Sequence, residues 1–80
     1  MTDVEIEYCV PCGHLDRAQA LQGTLLSEFG LELDGVRLKT GDGGVFRVSV
    51  DDELVFDKAE EGYDEAEIIE RVGQRAGATA

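Results

Sequence analysis

Basic side chains are scarce in this 80-residue chain: 7 lysines and arginines stand against 18 aspartates and glutamates, for a formal net charge of −11. Phosphate backbones and anionic membranes are bound through Lys and Arg, so neither nucleic acid nor a membrane surface suits as a partner. Long apolar runs are also missing. The opening stretch Met1-Thr2-Asp3-Val4-Glu5-Ile6-Glu7 is acidic and alternating, unlike the basic start and apolar segment of a signal peptide or the long apolar run of a membrane helix. A soluble, cytoplasmic protein is expected. Cysteine is limited to Cys9 and Cys12, whereas a secreted mini-protein uses more cysteines at wider spacing. So short a loop removes little entropy from the unfolded chain, and a bond between the two serves exchange better than stability.

What is present makes one domain. A chain of this length buries a single core, and its 42% hydrophobic residues fall in periodic segments. The domain is expected over residues 1–76, with a flexible tail at 77–80. Only Lys39 and Lys58 are lysines, and this acid-rich surface resembles that of halophile cytosolic proteins, in which salt screens self-repulsion.

Val4, Ile6 and Tyr8 alternate with Asp3, Glu5 and Glu7, the period of a strand with one buried face. From His14 to Phe29, Leu15, Ala18, Leu21, Leu25 and Phe29 recur at helical spacing, and Gly30 ends the helix. Leu31, Leu33, Val36 and Leu38 predict a second strand with a bulge or bend at Asp34-Gly35. After a glycine-rich loop at 40–44, Phe46, Val48 and Val50 predict a third strand. Asp51-Asp52 then turns a hairpin into Leu54-Val55-Phe56. Asp64 and Glu67 form a capping box ahead of a helix carrying Ile68, Ile69, Val72 and Ala76, with Arg71 and Arg75 placed to complement its dipole.

The order β-α-β-β-β-α predicts an α/β fold of the α+β sandwich kind. A right-handed crossover makes the first two strands parallel neighbours, giving a four-stranded mixed sheet of order 2-1-3-4 with both helices covering it. The end of strand one, the start of helix one and the Gly41–Gly44 loop then share one edge, where such sheets place their sites.

Thiol-disulfide exchange needs an attacking thiolate and a second thiol near enough to resolve the mixed disulfide. Cys9-Val10-Pro11-Cys12 meets that need at a strand-to-helix junction, where the helix dipole lowers a thiol pKa and favours Cys12 over Cys9. Pro11 suits the turn entering a helix. His14 either supplies charge or a proton to the sulfurs or is a solvated first-turn residue, and Tyr8 either approaches the sulfurs or packs in the core. Haem attachment is disfavoured because Gly13, not histidine, follows Cys12. Zinc has Cys9, Cys12 and His14 as ligands but lacks a fourth within the chain. A phosphate loop at Gly41–Gly44 lacks the lysine-serine pair. A noncatalytic module pairing through the Leu54–Phe56 edge is a further alternative, opposed by Asp51, Asp52, Glu53 and Asp57.

Ile6-Glu7-Tyr8-Cys9-Val10-Pro11-Cys12-Gly13, then Gly43-Gly44-Val45-Phe46-Arg47-Val48-Ser49-Val50, then Leu54-Val55-Phe56-Asp57-Lys58 together resemble the Rdx family of selenoprotein W-like proteins. The resemblance implies a thioredoxin-like fold and a redox-active pair, Cys9 and Cys12. It implies oxidoreductase activity on protein or glutathione disulfides, with protein thiols or a low-molecular-weight thiol as partners; no cofactor is expected, and the protein is expected to be a monomer. In selenium-containing relatives selenocysteine stands at the position of Cys12, whereas the thioredoxin analogy points to Cys9 as attacker. Unlike thioredoxins, the chain has no proline beyond Pro11, so no cis-proline faces the cysteines. Gly43, Gly44 and Val45 are expected to dock substrate in its place.

The acidic composition carries the first testable expectation: the melting temperature rises in molar KCl relative to dilute buffer. An unchanged or lower value in a thermal scan would remove the halophilic reading.

Overall fold

The computed structural model describes residues 2–77. Strand β1 spans Asp3–Cys9, helix α1 Leu15–Phe29, β2 Gly35–Gly41, β3 Phe46–Val50, β4 Glu53–Asp57 and helix α2 Glu65–Gly77. The expected tail lies, but for Gly77 at the end of α2, outside the described residues. Among the described residues no helix is long and apolar enough to cross a membrane.

The sheet order is β2-β1-β3-β4, with β1 and β2 parallel and the other two pairs antiparallel. Strand alternation sends Val4, Ile6 and Tyr8 to the same side as Val36, Phe46, Val48, Val50 and Phe56. There they form one buried cluster with Ala18, Leu21 and Leu25 of α1 and Ile68, Val72 and Ala76 of α2. Both helices therefore cover one face. The other face carries Glu5, Glu7, Arg37, Arg47 and Asp57, linked as Arg37–Glu5, Arg47–Glu7 and Arg47–Asp57 ion pairs.

Two local expectations are corrected. Leu31 does not belong to β2: Gly30, at φ 50°, leads into a 3-10 turn over Gly30–Glu32, and Leu31 projects fully into solvent. Leu33 packs in the core, and the strand starts only at Gly35, opposite Asp3. Asp34-Gly35 thus precedes the strand instead of bulging it, and Thr40 and Gly41 extend it into the expected loop. The sheet's irregularity falls instead between β3 and β4, at Val48/Ser49. Leu15 is the second correction, since it is 41% exposed and not on the buried stripe. Ala18, Leu21 and Leu25 define that stripe, and Leu15 lies on its flank.

The Asp51-Asp52 hairpin forms as read, with both residues at positive φ (52° and 69°), the primed-turn geometry that aspartate tolerates. Asp64 Oδ1 accepts the Glu67 N–H at 3.2 Å, closing half of the capping box. Arg71 has a larger task than complementing a dipole. Its guanidinium donates to Glu61 at 2.6 and 2.9 Å, to Glu67 at 3.1 Å and to the Val55 carbonyl at 3.0 Å, tying α2 to β4 and to the connection between them. Arg75 pairs with Glu53 at 3.0 Å.

Helix α2 meets α1 at Gly73, where an added Cβ would stand 3.2 Å from Cε1 and Cζ of Phe29. Phe29 is itself packed against the core, so the ring cannot withdraw without loosening the helix pair. Gly73→Val is expected to destabilise by roughly 1–3 kcal/mol in denaturant unfolding, crowding outweighing the few tenths gained in helix propensity.

Hydrogen bonding by Arg71 holds the Glu61 carboxyl below the usual glutamate range. A carboxylate whose pKa is lowered by folding stabilises the protein above its unfolded value, and that contribution is lost as pH falls through the folded pKa. Arg71→Ala should therefore melt below wild type at neutral pH, with the gap narrowing on acidification below about pH 4. A gap independent of pH would show that packing, and not the ion pair, sets the difference.

Candidate functional site

Cys9 is the last residue of β1 and is fully buried, yet it stands outside the main core cluster. Alternation explains this, because Cys9 follows Tyr8 and so shares the side of Glu5 and Glu7. Residues 10–13 form a turn, after which α1 begins at Leu15. Three backbone hydrogen bonds hold the turn: Val10 N–H to Gly41 O at 3.0 Å, Gly13 N–H to Val10 O at 3.1 Å, and His14 N–H to Cys9 O at 3.3 Å. Gly13 adopts φ 78°, a left-handed conformation that a side chain would resist.

Cys9 and Cys12 are joined as a disulfide with their Cα atoms 5.3 Å apart, within the usual span for such bonds. The two sulfurs sit in different surroundings: Cys9 has no exposed surface, whereas Cys12 is exposed. Around Cys12, Val10 is 49% exposed, and Pro11 and Leu15 are exposed as well, giving the turn an apolar rim.

The remaining expected residues divide by face. Tyr8 is a core residue, paired across the sheet with Thr40 on one side and Phe46 on the other. His14 is half-buried and lies edge-on to Phe46, with ring centroids 6.2 Å apart. It is therefore neither a freely solvated first-turn residue nor simply turned outward. Gly43 and Gly44 take φ 71° and 82° in the turn between β2 and β3, and Val45 is half-buried. The turn shares the cysteine end of the sheet because Cys9 pairs with Gly41 and Tyr8 with Phe46. Between it and Glu7, Arg47 and Asp57 lies a cleft of about 320 Å³.

Three features escaped sequence reasoning. Gly41 is a point of close approach, since a Cβ there would come within 2.8 Å of Val45 Cγ1 and 3.1 Å of Glu7 Oε2. Nothing in a run of glycines marks which one is crowded. Glu7 and Arg47 read only as solvent-facing strand residues, although they line the cleft. Tyr63 packs edge-on against Phe46 at 5.3 Å and Phe56 at 6.2 Å, with the Arg17 guanidinium 4.4 Å from its centroid. Burial, reinforced by Glu65, pushes its phenol above the usual tyrosine range. Among the described residues there is no group of three or more His, Cys, Asp and Glu placed to hold a metal ion, and Cys9 and Cys12 are joined to each other.

A four-stranded mixed sheet covered by two helices on one face, with a Cys-x-x-Cys pair where the first strand passes to the first helix, defines a redox protein of the thioredoxin-like class. The chain belongs to the Rdx family, which it matches over residues 3–74. A crystal structure of a protein from Bordetella parapertussis superimposes with a TM-score of 0.86 at 32% identity, covering 92% of this chain and 96% of that one. A selenoprotein W-related protein from Vibrio cholerae superimposes at 0.88 with 26% identity, covering 94% of this chain and 96% of that one. No curated protein matches the sequence.

Proposed function

We propose that this protein is a cytoplasmic thiol-disulfide oxidoreductase in which Cys12 exchanges with substrate and Cys9 resolves the intermediate. The observation that carries the reading is the asymmetry of the bonded pair, Cys9 buried and Cys12 exposed. Attack requires an accessible thiolate. The start of α1, two residues beyond Gly13, favours a thiolate at Cys12.

In the reduced protein the Cys12 thiolate attacks one sulfur of a substrate disulfide. That bond breaks, the first substrate thiolate leaves, and a mixed disulfide joins the substrate to Cys12. Cys9 gives its proton to solvent and attacks the Cys12 sulfur, expelling the second substrate thiolate and forming the Cys9–Cys12 bond. The substrate gains two electrons and the protein loses two. A low-molecular-weight thiol or a protein dithiol regenerates the reduced pair by the reverse sequence. Protein disulfides or a low-molecular-weight disulfide are the substrate class, His14 and Tyr8 support the turn, Pro11 stiffens it, and Gly43, Gly44 and Val45 border the approach.

Trapping tests the assignment. The Cys9→Ser variant, exposed to cell extract, should accumulate mixed disulfides at Cys12 that are identified by mass, several-fold above Cys12→Ser. The opposite ranking would make Cys9 the attacker, and silence from both variants would remove the oxidoreductase reading.

A further inference from the structure

Among the described residues, strand β2 pairs only with β1, so one of its edges is open. Two observations fix which backbone groups face outward. Gly41 turns its carbonyl inward, to Val10 N–H, while the Val36 carbonyl accepts Gln22 Nε2 from α1 at 2.7 Å. Successive strand residues point their peptide groups to opposite sides, so Leu38 and Thr40 share the outward direction of Val36. Gln22 blocks the edge at Val36. Beyond it, the N–H and C=O groups of Leu38 and Thr40 have no backbone or side-chain partner among the described residues, and they line an open groove of about 460 Å³ with Arg37 and Lys39.

Helix α1 reaches this edge through Gln22. Leu15, Gln19, Gln22 and Leu26 lie along one helical stripe, and Gln22 places that stripe on the β2 side. Because the crossover runs α1 antiparallel to β2, Leu15 comes above the C-terminal half of the strand, where it is 41% exposed. A half-exposed leucine on the helical stripe that reaches β2, and the backbone groups of Leu38 and Thr40 without a partner among the described residues, describe a seat for a further strand.

Charge says what would fit. Across the open face the strands alternate in sign: Arg37 and Lys39 on β2, Glu5 and Glu7 on β1, Arg47 on β3, Asp57 on β4. A strand beyond β2 continues the series if it is acidic on this face and apolar toward Leu38 and Leu15. A second copy joined edge to edge through β2 would instead bring Arg37 and Lys39 against their own kind. The β4 edge is shorter, at five residues, and interrupted by the Val48/Ser49 irregularity.

We infer that the outer edge of β2 docks an extended segment of a partner polypeptide, alternating acidic and apolar residues, and brings that chain alongside the Val10–Gly13 turn. Its use in substrate presentation rests on the redox reading above, but docking itself does not. The test uses the oxidised protein and a cysteine-free, acetylated and amidated peptide of about seven residues alternating glutamate with valine, the length of β2. Amide exchange is expected to slow at Leu38 and Thr40 and not along β4. Thr40→Pro removes an outward N–H that the β1 ladder does not use, and Lys39→Glu reverses the charge. Each should weaken binding about three- to ten-fold, with β1–β2 amide protection reporting that the sheet is intact.

Equal binding of the peptide with lysine in place of glutamate would overturn the inference. So would absence of any change at Leu38 and Thr40, or protection of those amides that rises with protein concentration alone, which would make a second copy the occupant. None of these outcomes bears on Cys9 and Cys12, whose redox reading stands or falls by trapping.

Discussion

The structure depends on the double pairing of β1. This strand is held by β2 on one side and β3 on the other, so its backbone is fixed along its length. The last pair of its parallel ladder is Cys9 with Gly41, and the next backbone bond, Val10 N–H to Gly41 O, already belongs to the redox turn. A rigid strand thus ends where a turn must be placed with little freedom. Thiol exchange asks for that placement, because two sulfurs cycle between bonded and free only if the backbone keeps their Cα atoms a few ångströms apart.

From the same pairing follows the inequality of the two cysteines. Alternation along β1 carries Cys9 to the side away from the main core, where it is nonetheless fully buried. Cys12, lying past the end of the ladder, keeps its exposure. Helix-dipole reasoning and accessibility both favour Cys12, but they are independent arguments, one about thiolate stability and one about approach. Their agreement rests on the fold and not on the spacing of the motif.

The charge excess is arranged as well as large. Five of the seven basic residues form ion pairs or stack on an aromatic ring: Arg37, Arg47, Arg71 and Arg75 with carboxylates, and Arg17 with Tyr63. Cations are therefore used where elements must be joined, as Arg71 joins α2 to β4, or where the uncovered sheet face would otherwise set carboxylates side by side. Exposed pairs of this kind contribute little individually. Their effect is to give the open face strands of alternating sign.

The order of elements, the strand order and the redox pair were legible in the residues, because period-two and period-3.6 patterns are local and the Cys-x-x-Cys motif is contiguous. Local pattern misplaced Leu31 and Leu15, since an apolar residue beside a strand or on a helix counts as buried only once its covering neighbour is known. The start of β2 was set by its register with Asp3, a contact between distant segments that no window of sequence contains. Sequence by itself determined the chemistry available, two thiols at the mouth of a helix on an acidic domain. Only the tertiary structure decided which thiol is sheltered, which glycine is crowded and which strand edge is left open, because burial and crowding are properties of segments brought together by the sheet.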